Sequence, residues 1–372
     1  MVREIVLASG LALVASLAAC RAVIAAGLMD APNLARKMHR QPTPTSGGLG
    51  IALGFGLAVL FLWLPDGLNI ESCCSLEGRR MLAPACLAAA TFLAIGFVDD
   101  RFPLGPRAKL AALALASLAT AGAVAPVENL RFGLGVELEL PFVLALAGSA
   151  LWVFAMVNIV NFMDGANGLA MGSTAIGLIM LAIASMLAGV NSAAIIALCG
   201  AGALIGFLYW NFPRARLFAG DSGALLAGVL AAVCGLMAVR RGLTPIAPLL
   251  CFFPMLADAL LTLVYRASRG RNLLNGHNEH FYQIGLRAGL SHRRVTIGYW
   301  AAAVHCGVIA IIASEVERGA RAGAAQAHPL HAALDAAASF MPIAALVLLI
   351  AVALRVSGAV RRYQASRGWD EI

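Results

Sequence analysis

The chain has 372 residues, is 61% hydrophobic and only 12% charged, and has a mean hydropathy of +0.85. Soluble domains carry about twice that share of charge, so a water-soluble globular protein is excluded and one polytopic membrane domain over 1–372 is expected. The formal charge of +8 does not imply nucleic acid, because the arginines sit in short loops between apolar runs, a pattern that belongs to membrane topology and anionic lipid.

A bilayer-crossing helix needs about 20 apolar residues. Eleven such spans are predicted, at 4–29, 46–64, 81–98, 109–126, 141–160, 168–189, 193–210, 222–239, 243–265, 295–314 and 332–354. The fold class is therefore all-α, with closely spaced Gly and Ala suited to tight helix packing. Leu17-Ala18-Ala19-Cys20 has the form of a lipoprotein processing box. The apolar run continues past it to Met29, which favours a first transmembrane helix over a cleaved signal. Six of the eight cysteines lie inside apolar runs, where they act as small hydrophobes; Cys73 and Cys74 fall in a polar loop.

Alternate loops carry eighteen and eight Lys and Arg residues. The richer set, which includes 30–45, 99–109, 161–167, 211–221, 266–294 and the tail from 355, is assigned to the cytoplasm. Four polar motifs break the apolar sequence, and all four fall on that side. Carboxylates at membrane depth are costly and mark a site by default.

The first motif, Asp99-Asp100, ends the third span and is followed by Lys109, one of only two lysines. Adjacent carboxylates repel unless a cation sits beside them. The second runs from Asn158 through Asn161-Phe162-Met163-Asp164-Gly165-Ala166-Asn167-Gly168 to Leu169. Its Asn, Asp and Gly residues suit a turn that presents oxygens to a ligand; helix capping by Asn161 or Gly165, and then by Asn167, would explain only part of it. The third, Phe218-Ala219-Gly220-Asp221-Ser222-Gly223, places Asp221 at a helix start, as a cap or a metal ligand. The fourth, His277-x-x-His280, lies in the longest cytoplasmic loop, where a helix would put both rings on one face. A further loop, Asp30-x-x-Asn33-x-x-Arg36-Lys37-x-His39, offers basic residues to anionic headgroups. Hard carboxylates with glycine turns suit Mg²⁺ and phosphate.

Taken together, the motifs resemble the polyprenyl-phosphate N-acetylhexosamine-1-phosphate transferase family (glycosyltransferase family 4) over about residues 30 to 295. The HxxHxYQ form at 277–283 is closer to the O-antigen-initiating branch than to the muramoyl-pentapeptide branch. The resemblance implies a cytoplasmic active site in a bacterial inner membrane. It implies Mg²⁺, or Mn²⁺ in its place, at Asp221, Asp99 and Asp100, with Asp164, His277 and His280 as further catalytic residues. Lys109, Asn158, Asn161, Asn167, Asn211, Phe218, Arg36 and Lys37 would bind substrate, with Phe218 on the uracil. The implied partners are a UDP-sugar, undecaprenyl phosphate and membrane lipid, with a homodimer as an option and no nucleic acid. The rival from another class is a transporter, whose sites lie at mid-membrane between repeats; the muramoyl-pentapeptide transferase is the rival within the family.

Overall fold

A computed structural model describes residues 2–27, 29–30, 43–63, 76–132, 136–274, 276–323 and 340–369. The chain is a bundle of helices with two short antiparallel strand pairs. Its elements are α1 (Val2–Ala25), β1 (Met29–Asp30), β2 (Thr43–Pro44), α2 (Gly47–Trp63), α3 (Leu76–Arg101), α4 (Pro106–Val124), β3 (Asn129–Arg131), β4 (Glu137–Glu139), α5 (Phe142–Met163), α6 (Leu169–Leu187), α7 (Asn191–Asn211), α8 (Gly220–Arg240), α9 (Ile246–Cys251), α10 (Phe253–Ser268), α11 (Phe281–Arg287), α12 (His292–Gly323) and α13 (Met341–Ser366). Among the described residues, nine helices are long and apolar enough to cross a membrane, so the protein is a multi-pass membrane protein.

Two expected spans take another form. The segment 46–64 is the 17-residue α2, and 243–265 is split into α9 and α10 at Phe252, with Pro248 and Pro254 flanking the break. A proline lacks the N–H that a continuous ladder would use. The last span differs at its end: the helix from Met341, with Pro342 in its first turn, runs to Ser366 rather than stopping at 354, and 332–339 of the expected span lie outside the described residues. Proline suits a helix start, where its missing N–H costs nothing.

The centre of the bundle is α8, buried without interruption from Ser222 to Val239. It packs against α2, α3, α5, α6 and α7. The close approach depends on small residues. A Cβ on Gly96 of α3 would lie 2.5 Å from the Asp221 and Ser222 backbone, and one on Gly48 of α2 would lie 2.4 Å from the backbone nitrogen of Gly223. Glycines at these crossings bring α2 and α3 onto the start of α8.

The periphery is the reverse. On α13, Val347, Leu348, Val352 and Leu354 are exposed, as are Phe142, Val143 and Leu151 on α5; such faces suit lipid. Helix α1 packs on α2 and α7. Cys20 is buried within it, against Gly50 of α2.

Candidate active site

The polar motifs converge where α3 and α5 end and where α4 and α8 begin. Lys109, in the first turn of α4, bridges two carboxylates: its Nζ is 2.8 Å from Asp99 Oδ2 and 2.8 Å from Asp221 Oδ2. Asn161 Nδ2 donates to Asp221 Oδ1 at 2.6 Å. The other Asp99 oxygen accepts the Leu104 amide at 2.6 Å, which closes the turn between α3 and α4. The Asp pair lies inside α3, in its last turn, rather than beyond it.

Asp100 has a different role from Asp99. Its carboxylate accepts the Asp221 amide at 2.8 Å and the Ser222 amide at 3.0 Å, so it caps α8 from another helix. The first amides of a helix lack intrahelical partners and carry partial positive charge. Gly220, with φ +71°, makes the turn; a Cβ there would sit 2.7 Å from Asp100 and 2.8 Å from the Thr45 carbonyl. Gly47 and Pro44 lie alongside: Gly47 donates to the Phe218 carbonyl, and Phe218 donates to the Pro44 carbonyl. Phe218 is half-buried at this junction.

The 158–169 segment is the end of α5, a tight turn at 164–168 and the start of α6. The caps differ from those expected: Asp164 is the C-cap of α5, and Gly168, at φ +73°, precedes α6. Asn211 holds that turn, accepting the Gly168 amide at 2.6 Å and donating to the Leu217 carbonyl at 2.8 Å. Asn158 donates to the Phe154 carbonyl one turn back, and Asn167 donates to the Pro213 carbonyl. Of the asparagines, Asn161 is the one that touches the acidic cluster. Burial, followed by the nearby charges of Asp221 and Asp100, raises the Asp164 carboxyl well above the ordinary carboxylate range.

The histidine loop docks on the same turn. Tyr282 Oη donates to the Phe162 carbonyl at 3.1 Å, and Gly165 leaves room for it, since a Cβ there would be 2.2 Å from that oxygen. His277 and His280 do not share a helix face; they precede α11, with His280 as its N-cap and the rings 4.9 Å apart. Burial, then the charges of His280, Arg266 and Arg361, pushes His277 down to about 3. Its ring is therefore neutral at physiological pH, and among the described residues its buried Nδ1 has no hydrogen-bond partner.

Asp258, inside the expected ninth span, organises this loop and was not anticipated. It accepts the Phe281 amide at 2.9 Å, the Tyr282 amide at 3.3 Å and the Tyr299 hydroxyl at 2.5 Å, and lies 3.3 Å from His280 Nδ1. The signal was present: a carboxylate within an apolar run deserves the same reading as the other motifs. Glu279, also buried, pairs with Arg266 and Arg271. Arg36 and Lys37 lie outside the described residues.

Among the described residues no three His, Cys, Asp or Glu side chains converge into a ready-made metal cage. The donor chemistry nonetheless fits a hard divalent cation. Asp99, Asp100, Asp164 and Asp221 form an acidic centre, and among the described residues Lys109 is the cation paired with it. Mg²⁺ commonly takes one or two carboxylates and completes its shell with water and substrate phosphate.

Fold and site together define a multi-pass membrane protein with an acidic, lysine-bridged centre at one end of its bundle. The profile of the family described as Glycosyl transferase family 4 matches residues 82–239. The decaprenyl-phosphate N-acetylglucosaminephosphotransferase of Mycobacterium tuberculosis (strain ATCC 25618 / H37Rv) is 34% identical over 294 residues, 70% of each chain. A probable undecaprenyl-phosphate N-acetylglucosaminyl 1-phosphate transferase of Bacillus subtilis (strain 168) is 26% identical over 73% of this chain and 74% of its own. A phospho-N-acetylmuramoyl-pentapeptide-transferase of Desulforudis audaxviator (strain MP104C) is 28% identical over 76% and 87%. The chain belongs to glycosyl transferase family 4.

Proposed function

We propose that the protein transfers an N-acetylhexosamine 1-phosphate from a UDP-sugar to a polyprenyl phosphate, undecaprenyl phosphate in a bacterial inner membrane, at the cytoplasmic face. A phosphate oxygen of the lipid attacks the β-phosphorus of the UDP-sugar. The bond from that phosphorus to the bridging oxygen breaks, and UMP leaves with the bridging oxygen. The product is a polyprenyl-diphosphate-linked sugar, the first intermediate of a surface polysaccharide such as O-antigen.

The observation that carries this reading is Asp221, held between Lys109 and Asn161 at the start of α8. Phosphoryl transfer needs positioning and charge neutralisation more than covalent help from the protein. Lys109 would engage the pyrophosphate, leaving Asp99 and Asp221 to a cation. Asp221 and Asp99 would hold Mg²⁺, or Mn²⁺ with the same oxygen preference, which when bound polarises the pyrophosphate and offsets charge on the leaving UMP. Asp100 fixes the α8 start and so the height of Asp221. The neutral His277, beside His280, would hydrogen-bond the sugar or its phosphate. The names of the Mycobacterium and Bacillus relatives favour N-acetylglucosamine over a pentapeptide-bearing sugar.

Release of UMP from a panel of UDP-sugars, by purified protein with undecaprenyl phosphate, tests the reading. No release with any of them, and with the muramoyl-pentapeptide donor active instead, moves the chain to the other branch. Impermeant cysteine reagents on intact cells test the face: residues introduced in 276–290 should stay unlabelled until the membrane is opened.

A further inference from the structure

We infer that Arg361, near the end of the C-terminal helix α13, is a positioning residue for the histidine loop. The inference rests on the reading that His277 and His280 face the UDP-sugar. Much of α13 is exposed within the chain, with Ile343, Leu346 and Leu349 partly buried against the core. Its last turns differ. Gln364 is fully buried, and it accepts from Arg361 Nη1 at 2.9 Å.

Arg361 reaches three separate parts of the loop's support. Nη1 donates to the Glu279 carbonyl at 2.9 Å, one residue before His280. Nη2 donates to Thr262 Oγ1 at 3.1 Å. The guanidinium lies 4.1 Å from the Tyr265 ring centroid and 5.3 Å from that of Phe281. A planar fork that both donates and stacks is specific to arginine, and lysine does not reproduce it.

The chain of contacts continues inward. Thr262 Oγ1 donates to Asp258 Oδ1 at 3.3 Å. The same oxygen accepts the Phe281 amide and lies beside His280 Nδ1. A run of four residues, Arg361, Thr262, Asp258 and His280, thus ties the C-terminal helix to the histidine pair. The hydrogen bonds and ring contacts of Arg361 described above lie on the histidine loop and its support and not on Asp99, Lys109 or Asp221, so its loss should leave the acidic centre in place.

Two measurements on full-length protein in detergent test this. With Arg361→Ala, the KM for the UDP-sugar should rise about tenfold, as expected for losing charge-assisted hydrogen bonds. The KM for undecaprenyl phosphate should hold, and Arg361→Lys should recover little. Amide exchange at Phe281 and Tyr282 should speed up in the same variant but not in Asp221→Asn. Arg361→Gln, which keeps a donor, guards against misfolding and should fall between. If exchange accelerates while wild type turns over no UDP-sugar, the positioning role stands and the proposed reaction fails. If wild type is active and Arg361→Ala alters neither exchange nor the sugar KM, or lowers kcat alone, the inference is overturned.

Discussion

Replacing Lys109 by methionine removes the one ammonium that bridges Asp99 and Asp221, at 2.8 Å from each. The side-chain shape is nearly kept, and the two carboxylates are left without their shared cation. Stranding a fully buried partner costs about 3–5 kcal/mol, and an exposed pair is worth about 1 kcal/mol or less. Here the lysine side chain is 20% exposed and the aspartates 9% and 31%, which places the cost between these limits, at about 2 kcal/mol. By size scaling that lowers Tm by about 2–3 °C. The expected partner effect is more diagnostic. In chelator, Lys109→Met should melt below wild type, and saturating Mg²⁺ should raise its Tm more than that of wild type, because the ion then occupies oxygens the lysine no longer holds. UMP release should stay lost in both conditions if, as proposed, the lysine also engages the pyrophosphate. Melting curves in detergent, with chelator and across a Mg²⁺ series, decide the matter. A variant that melts like wild type and ignores Mg²⁺ would refute the account of this centre as one lysine among excess carboxylates.

Other outcomes follow from the same geometry. Asp221→Asn should abolish UMP release while leaving the melting curve close to wild type in chelator; near-normal turnover would remove Asp221 from the chemistry. Asp100→Asn accepts only one of the two α8 amides, so it should lose about 1 kcal/mol as a cap, whereas Asp99→Asn should cut turnover with less change in Tm; equal melting losses would erase the distinction. His277 has its folded value pushed down to about 3 against an ordinary value of 6.5. The unfolded chain therefore binds the extra proton between those values, and stability should rise with pH across that window. Melting from pH 4 to 7 should show a weaker pH dependence in His277→Gln. Asp164 has the opposite sign, its folded value being raised by burial and by Asp221 and Asp100. Asp164→Asn should raise Tm at pH 7, and a lowered Tm there would contradict the crowding of charge.

How much of this was legible in the sequence depends on the kind of contact involved. The grouping of Asp99, Lys109, Asn161 and Asp221 was readable because each stands at the end of an apolar run, and alternating spans bring such ends together. The division of labour within Asp99-Asp100 was not readable. Neighbours on a helix point about 100° apart, so one reached Lys109 and the other the α8 amides, and only the crossing at Gly96 decides which. Asp258 was hidden by the apolar average of its span, although a lone carboxylate there was itself a signal. The role of Asn211 in holding the Gly168 turn is a contact across 43 residues that spacing alone does not encode. The end of the last span was set too early because a hydropathy window stops at the polar residues after Leu354, through which the helix continues to Ser366.

Helix α8 has a mechanical consequence. Buried from Ser222 to Val239, it presents no face to lipid acyl chains, while α5 and α13 present several. Membrane thickness acts on a protein through the helices that lipid touches, which tilt to match it. The outer ring can tilt while the central helix, screened by its neighbours, keeps its height. Asp221 is fixed at the end of that screened helix by Asp100, so the depth of this carboxylate is set by protein packing and decoupled from the bilayer. An enzyme built this way would tolerate changes in acyl-chain length that would displace a site carried on a lipid-facing helix.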